Sequence, residues 1–432
     1  MGTSRDVSGK SPPSDAFFLQ EDFWMMKLDF TKQYDVAVFG AGIGGIAAAL
    51  AAARRGHKVC LVEKQTQIGG LATSGMIFIY LPLCDGENHQ VTFGIAEELL
   101  LAGRKYSPYD ISTRWGGEGI PLDDSMLTEG HRENNILSPR DRFACNFTPA
   151  GMILALDEIL RTAGVDLYLD TLLCDADVTD GRVTAAYVEN ISGRGMIRAG
   201  YFVDSTGDCT LVRRSGGAVE YGSNRNTPWF VEYQKGNNGF YSLGDPVIMK
   251  TLGANSKEND VLYCRSGKDN TDFIRGAWQI IRERYDALYK EDPPAKHRVY
   301  PLTLPAMAQY RKIARIKGKV TIRTGEYNCR REDSIGMTGD WRCAGKIWET
   351  PYGALLPETL DGVLAAGRCI ASDGDSWEAY RVIPAAAMTG EAAGVAASLA
   401  VEKKISAAEL DLEELRGELR KNAFRFHREE VL

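Results

Sequence analysis

Tyr34-Asp-Val-Ala-Val-Phe39-Gly40-Ala-Gly42-Ile-Gly-Gly45 is the stretch that decides the fold. Its first half alternates apolar residues as a short buried strand does. It then enters a glycine turn and an alanine-rich run to Arg55 that predicts a helix. A second apolar run, Lys58-Val-Cys-Leu-Val62, ends on Glu63, 63 − 40 = 23 residues beyond Gly40. Strand, glycine turn, helix, strand and acid in this order predict a dinucleotide-binding unit. Gly40 permits the tight turn, Gly42 lets a pyrophosphate approach the backbone, and Gly45 lets the helix lie close to the strand. Ile43 and Gly44 open the helix, whose first amides and positive dipole end suit phosphate, while Glu63 is placed to accept hydrogen bonds from ribose hydroxyls.

A second glycine-rich segment follows at once, Lys64-Gln-Thr-Gln-Ile-Gly69-Gly70-Leu71-Ala-Thr73-Ser74-Gly75, and a plain NAD fold has no need of it. With this segment the chain resembles the FAD-dependent oxidoreductases of the glutathione-reductase-like superfamily, in which an acid is followed within several residues by a Gly-Gly pair lying along the FAD. The resemblance extends through Phe147–Leu160, similar to a helix of that superfamily, and the strands that follow, where main chain near Leu173 and Cys174 meets the adenine. It continues in Phe202-Val-Asp204-Ser-Thr206-Gly207-Asp208, in Gly362-Val-Leu-Ala-Ala-Gly367-Arg368, and in Arg381-Val-Ile383-Pro384-Ala-Ala386 through Gly394. Much of that superfamily has an Asp after the late glycine, where this chain has Arg368. The match is closest to the bacterial branch called simply FAD-dependent oxidoreductase, distantly related to fumarate reductase flavoproteins.

The resemblance implies an α/β protein, a Rossmann-like FAD-binding domain of three ββα layers with an inserted α+β substrate domain. The FAD domain is then assembled from 31–80, 146–220 and 355–402, the cap from 81–145 and 221–354, with a flexible or docking extension at 1–30 and an amphipathic C-terminal helix in 403–432. A helix is expected around Asp272–Leu288. Pro384 suits a first helical position, and Ala385–Ala400 is small and apolar enough to form a buried helix. If its N-terminus faces the flavin, that positive pole favours the negative charge that develops when the ring accepts a hydride, and Arg381 adds a full charge. The Gly-Gly loop has no His, so FAD is expected to be held noncovalently.

The 45 glycines exceed ordinary usage of about 7%, which already requires close backbone approaches. A net charge of −7 argues against a nucleic-acid partner. Nine scattered cysteines form no C-x-x-C, and with the five histidines they form no ligand spacing, so neither a metal nor a redox dithiol is expected. The sequence shows no long apolar run and no basic-then-apolar leader, and a cytoplasmic protein without membrane insertion is expected.

Residues 311–346 run against the chain's overall sign, with ten Lys or Arg and four Asp or Glu, a reversal suited to focusing an anionic substrate. Arg331 is the preferred candidate there, ahead of Arg330 and Arg342. Tyr352 and Glu349 enter the last FAD segment, and Asp375, Trp377, Glu378 and Tyr380 are read as a loop before Arg381. Arg381, Arg331, Tyr352 and Tyr380 are thus the candidate catalytic residues, with His297 and His89 behind them. The expected activity is hydride transfer between flavin N5 and a small organic molecule, with an external electron donor or acceptor completing the cycle. A flavin-dependent monooxygenase or halogenase, or a non-catalytic FAD-binding protein, are the alternatives.

Overall fold

The computed structural model describes residues 28–87, 89–107, 145–236, 247–252 and 261–432. The expected N-terminal extension falls outside these residues up to position 27, as do parts of both insertions.

Seven strands form the main sheet: β1 (Phe30–Phe39), β2 (Val59–Val62), β3 (Asp166–Tyr168), β4 (Leu172–Thr179), β5 (Arg182–Asn190), β6 (Gly193–Asp204) and β7 (Val363–Ala365). β3, β2, β1 and β6 lie side by side in parallel, and β7 joins β6 in parallel at Phe202–Asp204. The other end of β6 pairs antiparallel with β5, which pairs with β4. One edge of β6 therefore serves two partners, a parallel strand near its C-terminus and an antiparallel hairpin near its N-terminus. This is a Rossmann-like architecture, with the parallel strands all ending on one side.

The helices are α1 (Ile43–Arg54), α2 (Ile95–Ala102), α3 (Pro149–Thr162), α4 (Thr210–Arg214), α5 (Gly267–Glu291), α6 (Gly374–Tyr380), α7 (Ile383–Lys403) and α8 (Leu412–Arg420). α7 is buried from Pro384 to Ala400, so it needs small apolar side chains on every face. A Cβ on Gly390 would sit 2.0 Å from the Gly44 carbonyl oxygen, and one on Gly394 2.3 Å from that of Ala48. The two helices therefore meet backbone to backbone. No single helix among the described residues is long and apolar enough to cross a membrane.

The second insertion folds as an antiparallel sheet, Trp229–Gln234 between Val247–Thr251 and Val299–Thr303. α5 packs on it through Phe230, Ile281 and Tyr285, and buried Glu232 accepts from Arg284 Nη2 at 3.0 Å and the Tyr285 hydroxyl at 2.6 Å. The helix expected at 272–288 starts earlier because Ser266 and Asp269 cap its N-terminus reciprocally.

Three sequence expectations change. The C-terminal segment is not one long helix: Asp411 caps a short α8, and Ala423 at φ +63° turns the chain so that Phe424 and Phe426 are buried. The supposed loop before Arg381 is α6, started by an Asp373–Ser376 capping box. Pro384 takes the second helical position, with Ile383 first.

Gly390→Ala should lower stability by about 3 kcal/mol in urea unfolding, because its neighbour is backbone. Gly417→Ala, on the exposed side of α8 with open space around it, should raise stability by about 0.5–1 kcal/mol. Buried Glu391 on α7 accepts from Ile95 N and from Asn422 Nδ2, each at 2.6 Å, and burial pushes its carboxyl up from 4.5 to about 7. The unfolded chain loses this proton first, so stability should fall by roughly 3 kcal/mol as pH rises from the unfolded to the folded value. Urea midpoints at pH 5 and pH 7 should show that slope in the wild type and a much weaker one in Glu391→Gln.

Candidate functional site

The C-terminal ends of β1, β2, β6 and β7 converge on a cavity of about 1130 Å³, counting its open mouth. Its floor is the turn after β1. Gly40 takes φ +93°, where a Cβ would lie 2.5 Å from the Ser205 carbonyl oxygen, and a Cβ on Gly45 would lie 1.9 Å from that of Gly40. Gly42 is the exception, because a Cβ there would meet no protein atom within 4 Å and would project into open space. Gly42 is also the N-cap of α1 and offers no side chain to its first amides, which are left for an anion.

Buried carboxylates brace this floor. Glu63 accepts from Ala41 N at 2.8 Å and Gln65 N at 3.0 Å, and burial raises its carboxyl above the ordinary value against those two amides. Asp204, fully buried, accepts from Thr206 N at 3.1 Å and Val212 N at 2.9 Å, and so fixes the turn carrying Thr206 and Gly207. Lys64 reaches Asp208 at 3.7 Å. Burial works against ionisation of Asp208, but Lys64, the hydroxyls of Thr210 and Thr206, and Arg213 together hold its carboxyl below the usual range. The second glycine loop lies against the first through a bridge between Gly42 and Gly69.

Most of the expected cofactor residues line this one cavity: Gly40, Gly42, Ile43, Gly44, Glu63, Lys64, Gly69, Gly70, Leu71, Leu173, Thr206, Gly207, Asp208, Gly367, Arg368, Arg381, Ile383 and Ala386. Four others shape it from outside the lining. Gly45 packs on Gly40, the Thr73 hydroxyl donates to Ile68 O at 2.5 Å, Ser74 donates to Gln67 at 3.2 Å, and Cys174 bonds its own strand at Leu172 O. Arg368 lies along Gly207 and donates to Tyr310 O, so it ties the second insertion to the floor. The first turn of α7, with no side-chain cap, faces the cavity through Ile383 and Ala386.

Of the catalytic candidates only Arg381 lines the cavity; its Nε donates to Glu378 at 2.6 Å. Tyr352 is buried with its hydroxyl on Ala407 O at 2.8 Å, and the Tyr380 hydroxyl meets Thr350 at 2.9 Å. Burial raises both phenols well above their ordinary value. Arg331 pairs with Glu326, Arg330 with Glu332, and Arg342 with Asp340. His297 is exposed outside the cavity lining, and His89 Nδ1 lies 3.0 Å from Asp85. Asp85, Glu87 and His89 also place possible ligand atoms within 4.8 Å of one another, but Asp85 there accepts the backbone N–H groups of Glu87 and His89.

The sequence reading missed Ser205, Thr210, Met307 and Ile313 in the lining. Ser205 stands inside the Phe202–Asp208 motif and Thr210 two residues beyond it, both within reach of the sequence. Met307 and Ile313 come from the second insertion, where no spacing marks them.

A family model described as FAD dependent oxidoreductase matches residues 35–307 and 279–419. The chain belongs to the FAD dependent oxidoreductase family. FAD is its cofactor, and the open face of Gly42, the uncapped amides of α1 and the two apposed glycine loops fit that group. A dihydrolipoyl dehydrogenase from Chlorobaculum parvum is 60% identical over 44 residues, spanning 10% of this chain and 9% of that protein. A geranylgeranyl bacteriochlorophyll reductase-like protein from Thermoplasma acidophilum aligns at 14% identity and TM-score 0.46, covering 91% of this chain and 84% of its own. A flavoprotein/dehydrogenase from Cytophaga hutchinsonii aligns at 15% and 0.43, covering 89% and 81%. L-proline dehydrogenase from P. horikoshii aligns at 13% and 0.42, covering 91% and 100%.

In this flavoprotein Gly42→Ala should separate folding from cofactor binding. The methyl has room within the protein and an ordinary backbone geometry, φ −70° and ψ 174°. Stability without FAD should change by less than about 0.5 kcal/mol. FAD affinity, followed by quenching of flavin fluorescence, should weaken about tenfold or more, since the methyl occupies the space through which a pyrophosphate reaches the backbone.

Proposed function

We propose that this flavoprotein transfers a hydride, in one direction or the other, between noncovalently bound FAD and a small organic substrate. When bound, FAD supplies the redox chemistry, accepting or giving the hydride at N5. One observation carries the reading: a single cavity is lined by both glycine loops, by the first turn of α7 and by Arg381. The α1 end of that cavity suits phosphates. The α7 end offers a second positive pole, which favours negative charge developing at the redox-active end of the cofactor.

The protein's own contributions are positional and electrostatic. Arg381 is held by Glu378 and lies with its guanidinium carbon 5.8 Å from the Trp341 ring centre, so its charge keeps a defined position. Met307 and Ile313 add apolar surface to the cavity. The second glycine loop, Gly69–Gly75, carries no His, and the proposal takes the cofactor as noncovalent.

In this reading segments 31–80, 146–220 and 355–402 hold FAD, and the insertions 81–145 and 221–354 cover it as the substrate domain. An external electron donor or acceptor regenerates the flavin. The order of the glycine loops and of the closing α7 segment supports membership of the glutathione-reductase-like superfamily.

The purified protein should be yellow and release FAD on acid precipitation. A colourless protein that cannot be reconstituted with FAD refutes the proposal. Anaerobic mixing with a panel of enones, alcohols and amines should show substrate-dependent oxidation or reduction of the flavin; oxygenated product instead favours the monooxygenase reading. Arg381→Met should lower the midpoint potential by about 20 mV, corresponding to about 1 kcal/mol for a two-electron couple. An unchanged potential by dye equilibration removes its assigned role.

A further inference from the structure

We propose that Arg311, together with Arg381, binds a carboxylate group of the substrate at the α7 end of the cavity. The inference rests on the oxidoreductase reading of that cavity and adds the substrate's chemical class.

The basic stretch 311–346 is mostly neutralised in place. Arg315 pairs with Glu220, Arg323 with Asp373, Arg330 with Glu332, Arg331 with Glu326, and Arg342 with Asp340. Arg311 differs: no carboxylate of the described residues forms an ion pair with it. Its Nη1 makes one long bond to Gln309 O at 3.4 Å, and its guanidinium carbon lies 5.8 Å from the Trp229 ring centre. None of its guanidinium nitrogens is both buried and unpartnered, so those without a protein acceptor keep some exposure.

The chain on either side of Arg311 reaches the cavity, and Arg311 stands beside the lining and not in it. Ala306 N donates to Ser74 O at 2.8 Å, Met307 and Ile313 line the cavity, and Tyr310 O receives Arg368. Arg311 therefore stands on a segment that contributes to the cavity, its neighbour Lys312 on the same Glu378 that holds Arg381, and it feels the charge of Arg381. The one nearby carboxylate, Glu378, is already held by Arg381 at 2.6 Å and by Lys312 at 2.7 Å. Two cations thus share that carboxylate and Arg311 has none, and burial beside Arg381 pushes the Arg311 guanidinium down to about 10. An entering anion would relieve both the repulsion and the charge excess.

A carboxylate fits better than a phosphate of the cofactor, whose phosphates are provided for by the amides of α1. Two guanidinium groups, each resting on a tryptophan face, offer planar paired donors of the kind that match a carboxylate.

The test uses the FAD-loaded protein. Crystals soaked in bromide should give an anomalous peak between the Arg311 and Arg381 guanidinium groups. Benzoate should perturb the flavin absorbance more strongly than uncharged benzamide, and Arg311→Gln should weaken benzoate about tenfold or more, with Arg311→Lys intermediate and FAD affinity unchanged. The absence of bromide from that position overturns the inference. So do equal benzoate dissociation constants in wild type and Arg311→Gln, or a loss of FAD affinity in that variant. A protein that takes up no FAD refutes the proposed function instead, and bromide soaks of its crystals still decide the anion site.

Discussion

The rest of the structure depends on close contact between backbones where no side chain fits. Gly45 lies on the Gly40 carbonyl, and Gly390 and Gly394 lie on carbonyls of α1. These approaches bring α7 against α1 and set both N-termini on one cavity. Each terminus lacks a side-chain cap, so two sets of unsatisfied amides face the same space. A larger residue at any of these contacts would move one pole away from the other. The glycine excess in the composition is in part the requirement of this geometry.

Buried carboxylates complement the glycines. A glycine turn has no side chains with which to satisfy its own amides; Glu63 does so for Ala41 from the neighbouring strand, and Asp204 braces the turn that follows its own strand. Glu391 does the same for the start of α2. Removing a carboxylate from water is costly, but each of these accepts more than one donor in a fixed place. Glu63 therefore has two functions: it braces the turn through Ala41 while its remaining lone pairs border the cavity.

The sheet, α1, α7 and the glycine loops were legible in the sequence because steric rules leave few alternatives at those spacings. Tyr352 and Tyr380 looked equally good by position, since both lie near the last FAD segment. Their hydroxyls instead point to Ala407 and Thr350, partners that the local sequence does not reveal. The C-terminal helix was overextended because apolar spacing continues past Arg420, whereas the chain turns at Ala423 to bury Phe424 and Phe426. Met307 and Ile313 were invisible because an irregular insertion reaches the cavity through long-range contacts, such as Ala306 on Ser74.

Charge shows the same limit most sharply. A local count finds the basic reversal in 311–346 but does not say which cations are neutralised, because partners such as Glu220 and Glu378 lie far away in sequence. Ion pairs cancel most of that stretch, and a paired arginine projects little field beyond its partner. The field left over comes from the cations that no carboxylate of the described residues pairs, Lys317, Lys319, Lys346 and Arg311, and of these Arg311 is the one that feels Arg381. At the other end Lys64 and Asp208 balance each other, leaving the phosphates to the backbone amides. On the proposed reading the cavity's two ends divide the work, the uncapped amides of α1 suiting phosphates and Arg381 beside α7 favouring an anionic substrate.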